Sequence, residues 1–100
     1  MIDLKANPFF LDDESITWVY ATLDKMTREE KVAQLFCVLY REATDEEVES
    51  IHSILNPGGG MFRPMPLIDA VKLSQKVQKV SKIPMLIAAN LEKGGNGIVA

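Results

Sequence analysis

Cysteine occurs once in this sequence, at Cys37, and histidine once, at His52. A single cysteine excludes an intrachain disulfide. One residue of each kind leaves too few ligands for a zinc site of the usual His/Cys type, so metal chemistry would fall to carboxylates alone. A serine or cysteine nucleophile would have only His52 as its base. Apolar runs are short, none approaching the ~20 residues that a bilayer span requires. The N-terminus Met1-Ile2-Asp3-Leu4-Lys5 lacks a basic region followed by a hydrophobic one. A cytoplasmic protein without a membrane partner is the expectation. Positive charge is not in excess: 11 Lys and Arg stand against 14 Asp and Glu, the net charge is -3, and the cations are scattered among acids. That distribution gives no electrostatic footprint for nucleic acid. Fixed-period repeats, low-complexity tracts and linker-like stretches are also missing, so the 100 residues read as one segment without an internal boundary.

The chain has the content of a soluble globular protein, 47% hydrophobic and 25% charged. Ile16, Val19, Tyr20 and Leu23 recur at helical spacing, with Trp18 at the edge of that face. Thr27-Arg28-Glu29-Glu30 reads as a capping box that opens a second helix, and Thr44-Asp45-Glu46-Glu47 as one that opens a third. Between them, Leu35 to Tyr40 is a continuous apolar run suited to a strand buried on both faces. Val48, Ile51, Ile54 and Leu55 give the third helix its apolar side, and Asn56-Pro57-Gly58 stops it. Gly59-Gly60-Met61-Phe62 is a glycine-rich strand followed by the loop Arg63-Pro64-Met65-Pro66. Leu67 to Val80 is a helix with Ala70, Leu73, Val77 and Val80 on one face, and Ile83 to Ala89 a third buried strand. Two helices followed by strand, helix, strand, helix, strand predict an α/β fold with parallel pairing.

In parallel α/β folds the site lies at the carboxyl ends of the strands. The third strand runs into Asn90, Glu92 and the Gly94 to Gly97 loop, and the second ends at Arg63. Asn90, Glu92 and Arg63 are therefore the substrate-binding candidates. The glycine loop is read either as a tight turn that aims Asn90 and Glu92 or as an amide cradle for a small anion or nucleotide. It lacks the spacing of a Walker loop or of a dinucleotide fingerprint. Cys37, inside its apolar run, is expected as a buried packing residue. His52, beside the apolar face of its helix, is expected to pack or hydrogen-bond, its catalytic use being the lesser alternative. The acidic runs Asp12-Asp13-Glu14, Glu29-Glu30 and Asp45-Glu46-Glu47 stand at helix starts, where carboxylates meet unpaired amides.

Three segments together resemble the opening of a glycoside hydrolase family 3 catalytic domain. They are Lys25-Met26-Thr27-Arg28-Glu29-Glu30-Lys31-Val32-Ala33-Gln34-Leu35-Phe36, Asn56-Pro57-Gly58-Gly59-Gly60-Met61-Phe62, and the stretch from Ile83 to Gly95 that holds Asn90-Leu91-Glu92-Lys93-Gly94-Gly95. Their order and spacing run nearly from Lys25 to the end of the chain. The resemblance implies the N-terminal portion of a (β/α)8 TIM barrel, roughly its first three strands, and a carbohydrate substrate with β-linked sugars. It resembles the β-N-acetylglucosaminidase branch more than the β-glucosidase branch. The family's retaining mechanism uses two carboxyl functions about 5 to 5.5 Å apart, or a histidine-bearing loop as acid/base. Neither motif occurs in these residues, so no catalytic residue, cofactor or metal is assigned within the chain, and the segment alone is expected to be inactive. Asn90 stands where the family has an acidic residue that binds sugar hydroxyls, and Lys93 where glycine is common.

Two other readings remain at this stage. One is a non-catalytic α/β binding or assembly module that self-associates through open sheet edges, the strand from Ile83 to Ala89 foremost. The other is a small-anion or nucleotide binder that uses the Gly94 to Gly97 amides and Arg63.

Overall fold

A computed structural model of the chain describes residues 1–41, 43–92 and 94–99. The chain divides into two compact units, Met1–Lys31 and Val32–Ala100.

In the first unit, helix α1 covers Asp13–Lys25. It starts where Asp12 accepts a hydrogen bond from the Ser15 amide at 2.8 Å, which holds the Asp12 carboxyl below its ordinary pKa. Lys5 pairs with Asp13 at 2.6 Å on the exposed side. None of α1 is buried, and Trp18 is more than half exposed. Helix α2 (Arg28–Ala33) opens with the reciprocal capping box expected from its sequence. The Glu30 amide donates to the Thr27 hydroxyl at 3.1 Å, and the Thr27 amide donates to the Glu30 carboxylate at 2.9 Å.

The second unit is an α/β layer with the predicted order: β1 (Cys37–Tyr40), α3 (Asp45–Ile54), β2 (Gly59–Phe62), α4 (Leu67–Val80) and β3 (Leu86–Ala88). The strands form one parallel sheet in the order β1-β2-β3, with Tyr40 opposite Phe62 and Gly60 opposite Ile87. Thr44 caps α3 through the Glu47 amide at 3.1 Å. The Glu47 carboxylate takes the Arg41 and Ala43 amides at 2.9 and 2.8 Å, fixing the chain as it leaves β1. Asn56, at φ 49°, ends α3 in the left-handed region that terminates helices.

Tyr40, Val48, Phe62, Leu73, Val77 and Met85 form the core between the sheet and helices α3 and α4. Each fully buried large side chain contributes about 1.5 to 3 kcal/mol relative to exposure. The Tyr40 and Phe62 rings meet edge to face, 5.9 Å apart at 87°. Gly60 makes the space, since a Cβ there would stand 2.7 Å from the Tyr40 ring and 2.9 Å from the Met85 sulfur. Gln78 of α4 acts as a substitute strand partner for Met85, its amide donating to the Met85 carbonyl at 2.8 Å while its oxygen accepts from the Met85 amide at 2.9 Å. Across the helices, Lys76 bridges Glu49 at 2.9 Å and Asp45 at 3.6 Å.

Burial of the strands differs from the expectation. Leu35 and Phe36 lie outside β1, in a turn in which the Leu35 and Phe36 amides donate to the carbonyls of Val32 and Ala33. Cys37 is exposed rather than buried. Every residue of β3 is exposed, Leu86 to 79%. The cause is geometric. The helices cover the face that carries Tyr40 and Phe62, whereas strand alternation puts Cys37, Leu39, Met61, Leu86 and Ala88 on the other face. β1 and β3 are also the two edges of an open sheet. An apolar run fixes a strand but not the number of its faces that are covered.

Candidate functional site

Beyond the carboxyl ends of the strands lies a groove of about 410 Å³. Leu39 and Met61 supply its apolar part, and Arg63, Asn90, Glu92 and Asn96 its polar part. The three residues singled out from the sequence thus come together, although they belong to two strand ends separated by a whole helix. Asn96, which sequence reasoning passed over as a turn residue, joins them.

Local structure explains the convergence. After β3 the chain turns into the short 3-10 helix η1 (Gly94–Gly97), with Gly94 at φ 68° and its amide donating to the Leu91 carbonyl at 2.9 Å. Gly97 folds back so tightly that a Cβ on it would collide with the Asn90 carbonyl. The following residues then tie to the other rim. The Met65 amide donates to the Ile98 carbonyl at 3.1 Å, and Met65 forms an isolated parallel bridge with Val99. The loop that carries Arg63 and the turn that carries Asn90 and Glu92 are thereby held to each other. Lys93, the other departure noted in the sequence, lies outside the described residues.

Arg63, Asn90 and Glu92 are exposed, and among the described residues no hydrogen bond or ion pair engages their side chains. A guanidinium that only donates, a carboxylate that accepts and an amide that does both are a complementary set for ligand hydroxyls. Among the described residues Glu92 is the one carboxylate that lines the groove, so they do not assemble there the carboxyl pair used at a glycosidic bond. No group of three His, Cys, Asp or Glu among the described residues could hold a metal ion. The Gly94 to Gly97 segment is a single 3-10 turn, and its Asn96 and Gly97 line the same groove as Asn90 and Glu92.

His52 is buried and lies away from this groove. Its Nε2 is 2.8 Å from the Tyr40 hydroxyl, with the rings 6.3 Å apart and 23° from parallel. Burial pushes the imidazole pKa below its ordinary value, the Asn56 side chain acting in the other direction, and burial pushes the Tyr40 phenol up to about 12. The packing and hydrogen-bonding role expected for His52 is what the fold gives it.

A second groove, of about 330 Å³, adjoins the first and shares Arg63 and Pro64 with it. Arg41 lines it from the end of β1 and Lys72 and Lys76 from α4, together with Asp69 of α4 and Asp45 of α3. The sequence carries no local signal for this cluster: Arg41 and Arg63 each follow one member of the couple Tyr40 and Phe62, which only the register of β1 and β2 brings side by side.

The structure defines an α/β unit with three parallel strands in an open sheet and a polar groove at their carboxyl ends. No protein-family model matches the chain. It is 41% identical over 99 residues to the Beta-N-acetylglucosaminidase/beta-glucosidase of Cellulomonas fimi. Two solved structures share its fold at 38% identity. The beta-glucoside phosphorylase BglX bound to 2FGlc matches 96% of the chain with a TM-score of 0.82, and a second structure of the beta-glucoside phosphorylase BglX matches 97% with a TM-score of 0.78. The chain covers 99% of itself but 18% of the curated relative, and 18% and 17% of the two structures. It therefore corresponds to about a fifth of the length of the proteins it matches.

Proposed function

We propose that the chain is the opening part of a glycoside hydrolase family 3 barrel acting on β-linked glucosides or N-acetylglucosaminides. In this reading it contributes a sugar-binding rim made by Arg63, Asn90 and Glu92, and neither the nucleophile nor the acid/base. Support comes from the three sequence segments in register and from relatives whose names carry β-glucosidase, β-N-acetylglucosaminidase and β-glucoside phosphorylase activity. The single observation that carries it is the meeting of Arg63, Asn90 and Glu92 in one groove beyond parallel strand ends. Asn90 in place of a carboxylate keeps hydroxyl recognition through its amide and removes a charge, which shifts the anionic share of the contact to Glu92.

Complementation tests the proposal. The chain is coexpressed with the relative from Cellulomonas fimi lacking its corresponding segment, and hydrolysis of aryl β-glucosides and β-N-acetylglucosaminides is assayed. Restored turnover that falls at least tenfold with Asn90→Ala or Glu92→Ala supports it. Assembly of the two pieces without turnover, or turnover indifferent to both substitutions, would overturn it.

The exposed apolar face of the sheet favours a second reading, a module that associates through that face and its edge strands. Leu86, 79% exposed at the centre of that argument, is the residue on which it turns.

A further inference from the structure

The two rims of the groove that Arg63, Asn90, Glu92 and Asn96 line are built from opposite kinds of backbone. On one side stands Arg63-Pro64-Met65-Pro66. Proline fixes φ at Pro64 and Pro66, and a residue before a proline is confined to extended conformations, so Arg63 and Met65 are restricted as well. Pro66 leads directly into α4, its carbonyl accepting from the Asp69 and Ala70 amides at 2.9 and 3.1 Å, and Ala70 is buried. This rim is stiff and continuous with two packed elements, β2 and α4. On the other side stands η1. Gly94 is at φ 68°, and a Cβ on Gly94 or on Gly95 would meet no atom within 4 Å, so nothing packs around the start of this turn.

The two rims meet at one catch. Pro64 and Pro66 have no N–H, so Met65 holds the one backbone donor of residues 64–66, and it is spent on the Ile98 carbonyl at 3.1 Å. Met65 and Ile98, one from each rim, are half-buried against the core cluster. Beyond the catch, the Ile98 and Val99 amides turn back to the Gly95 carbonyl at 3.1 and 3.0 Å. Residues 94–99 thus hold themselves together, are tied across the groove at Met65, and carry the groove-lining Asn96 in their middle.

We propose that residues 94–99 form a latch on the groove. It opens by local unfolding that starts at Gly94 and Gly95, and it closes when the Met65 amide takes the Ile98 carbonyl. Opening withdraws Asn96 while Arg63, on the stiff rim, keeps its place, so the groove is entered from the β3 side. Such opening gives up a few backbone hydrogen bonds and half-buried side chains while the core stays packed, and it needs far less than global unfolding. The latch does not depend on what fills the groove. It goes beyond the sugar-rim reading, and its test needs no ligand.

Native-state hydrogen exchange of the chain, followed by NMR at low urea, is that test. The Met65, Ile98 and Val99 amides should exchange as one group, about tenfold or more faster than the Gly59 and Leu86 amides, which donate to the Phe36 and Gly58 carbonyls. Exchange of the group should be nearly independent of urea, whereas that of Gly59 and Leu86 should rise with it, since global unfolding exposes far more surface. Gly95→Ala, which adds no clash and lowers the entropy of the open state, should slow the group about two- to fivefold. Gly94→Ala, which forces a side chain into the left-handed region, should speed it about five- to thirtyfold. Replacing the Met65 peptide N–H by an ester oxygen, with the side chain unchanged, should speed Ile98 and Val99 although neither amide bonds to Met65. Exchange of the group at the rate and urea dependence of Leu86 would make the two rims one rigid body and overturn the latch. Indifference of Ile98 and Val99 to the ester overturns it too, because the turn then frays without a catch.

Discussion

The Tyr40 hydroxyl and His52 Nε2, 2.8 Å apart in the core of the second unit, form a buried polar pair between β1 and α3. Two further atoms beside it, His52 Nδ1 and Asn56 Oδ1, are buried without hydrogen-bond partners among the described residues. The pair is neutral at pH 7, because burial lowers the imidazole pKa and raises that of the phenol to about 12.

Stability should therefore fall on both sides of neutrality. His52 is lowered in the folded state, so its contribution is complete above the unfolded value near ~6.5 and is lost as pH falls below that value and through the folded one. Tyr40 is raised, so its contribution is complete below ~10 and is lost as pH rises through about 12. Urea titrations across pH 5 to 7 should show a slope that His52→Gln removes. Tyr40→Phe should cost about 1 to 3 kcal/mol at pH 7 by leaving His52 without its partner.

Gly60→Ala should destabilise by about 1 to 3 kcal/mol, the usual range for overpacking. Its Cβ would meet the Tyr40 ring and the Met85 sulfur, and the sulfur is the more yielding of the two. Shortening the sulfur-bearing chain with Met85→Ala in the same protein should recover less than the full loss, because a cavity replaces the clash. A double-mutant cycle on chemical denaturation measures the coupling.

Removing the Gln78 side-chain amide should release the Met85 backbone. Gln78→Ala leaves an amide and a carbonyl to find water, at about 1 to 3 kcal/mol if they stay dry. Hydrogen exchange at the Met85 amide should accelerate more than exchange elsewhere in the sheet. Gln78→Glu, which keeps the acceptor but not the donor, should fall between.

Lys76→Met should cost no more than about 1 kcal/mol, since Lys76 pairs with two exposed carboxylates. The cost should shrink with added salt. An unfolding midpoint that falls further than the Gln78→Ala midpoint would show that the ion pairs between α3 and α4 matter more than their exposure allows.

Placing a charge on the open sheet should change association and not folding. Leu86→Lys sits on an exposed strand at the edge of the sheet, where lysine is a common guard against pairing. Sedimentation should show less self-association than the parent chain, with an unfolding midpoint within about 0.5 kcal/mol of it.

The element order was legible because each element carries its own local signal. The capping boxes at Thr27 and Thr44, the stop at Asn56-Pro57-Gly58 and the apolar stripe of Ala70, Leu73 and Val77 need only near neighbours to be read. The candidate site was legible because strand ends are a topological address, and Arg63, Asn90 and Glu92 were placed there by order alone. What escaped depends on contacts across the sheet. Nothing local distinguishes Cys37 from Tyr40 in one apolar run, yet one is exposed and the other wholly buried. Nor does the sequence pair His52 with Tyr40, which meet only after α3 folds back onto β1. The cluster of Arg41, Arg63 and Lys72 escaped for the same reason, since it exists only once the register of β1 and β2 is known.

The pinch between Gly97 and the Asn90 carbonyl closes the turn that leaves β3 into a loop with both ends anchored. Such a segment is expected to act as an exchangeable cassette: other sequences should fit between its anchored ends while strand and opposite rim keep their places, provided the glycine at its neck is kept. Under the proposed sugar-rim reading, transplanting one short stretch of chain should alter ligand preference without redesigning the scaffold beneath it.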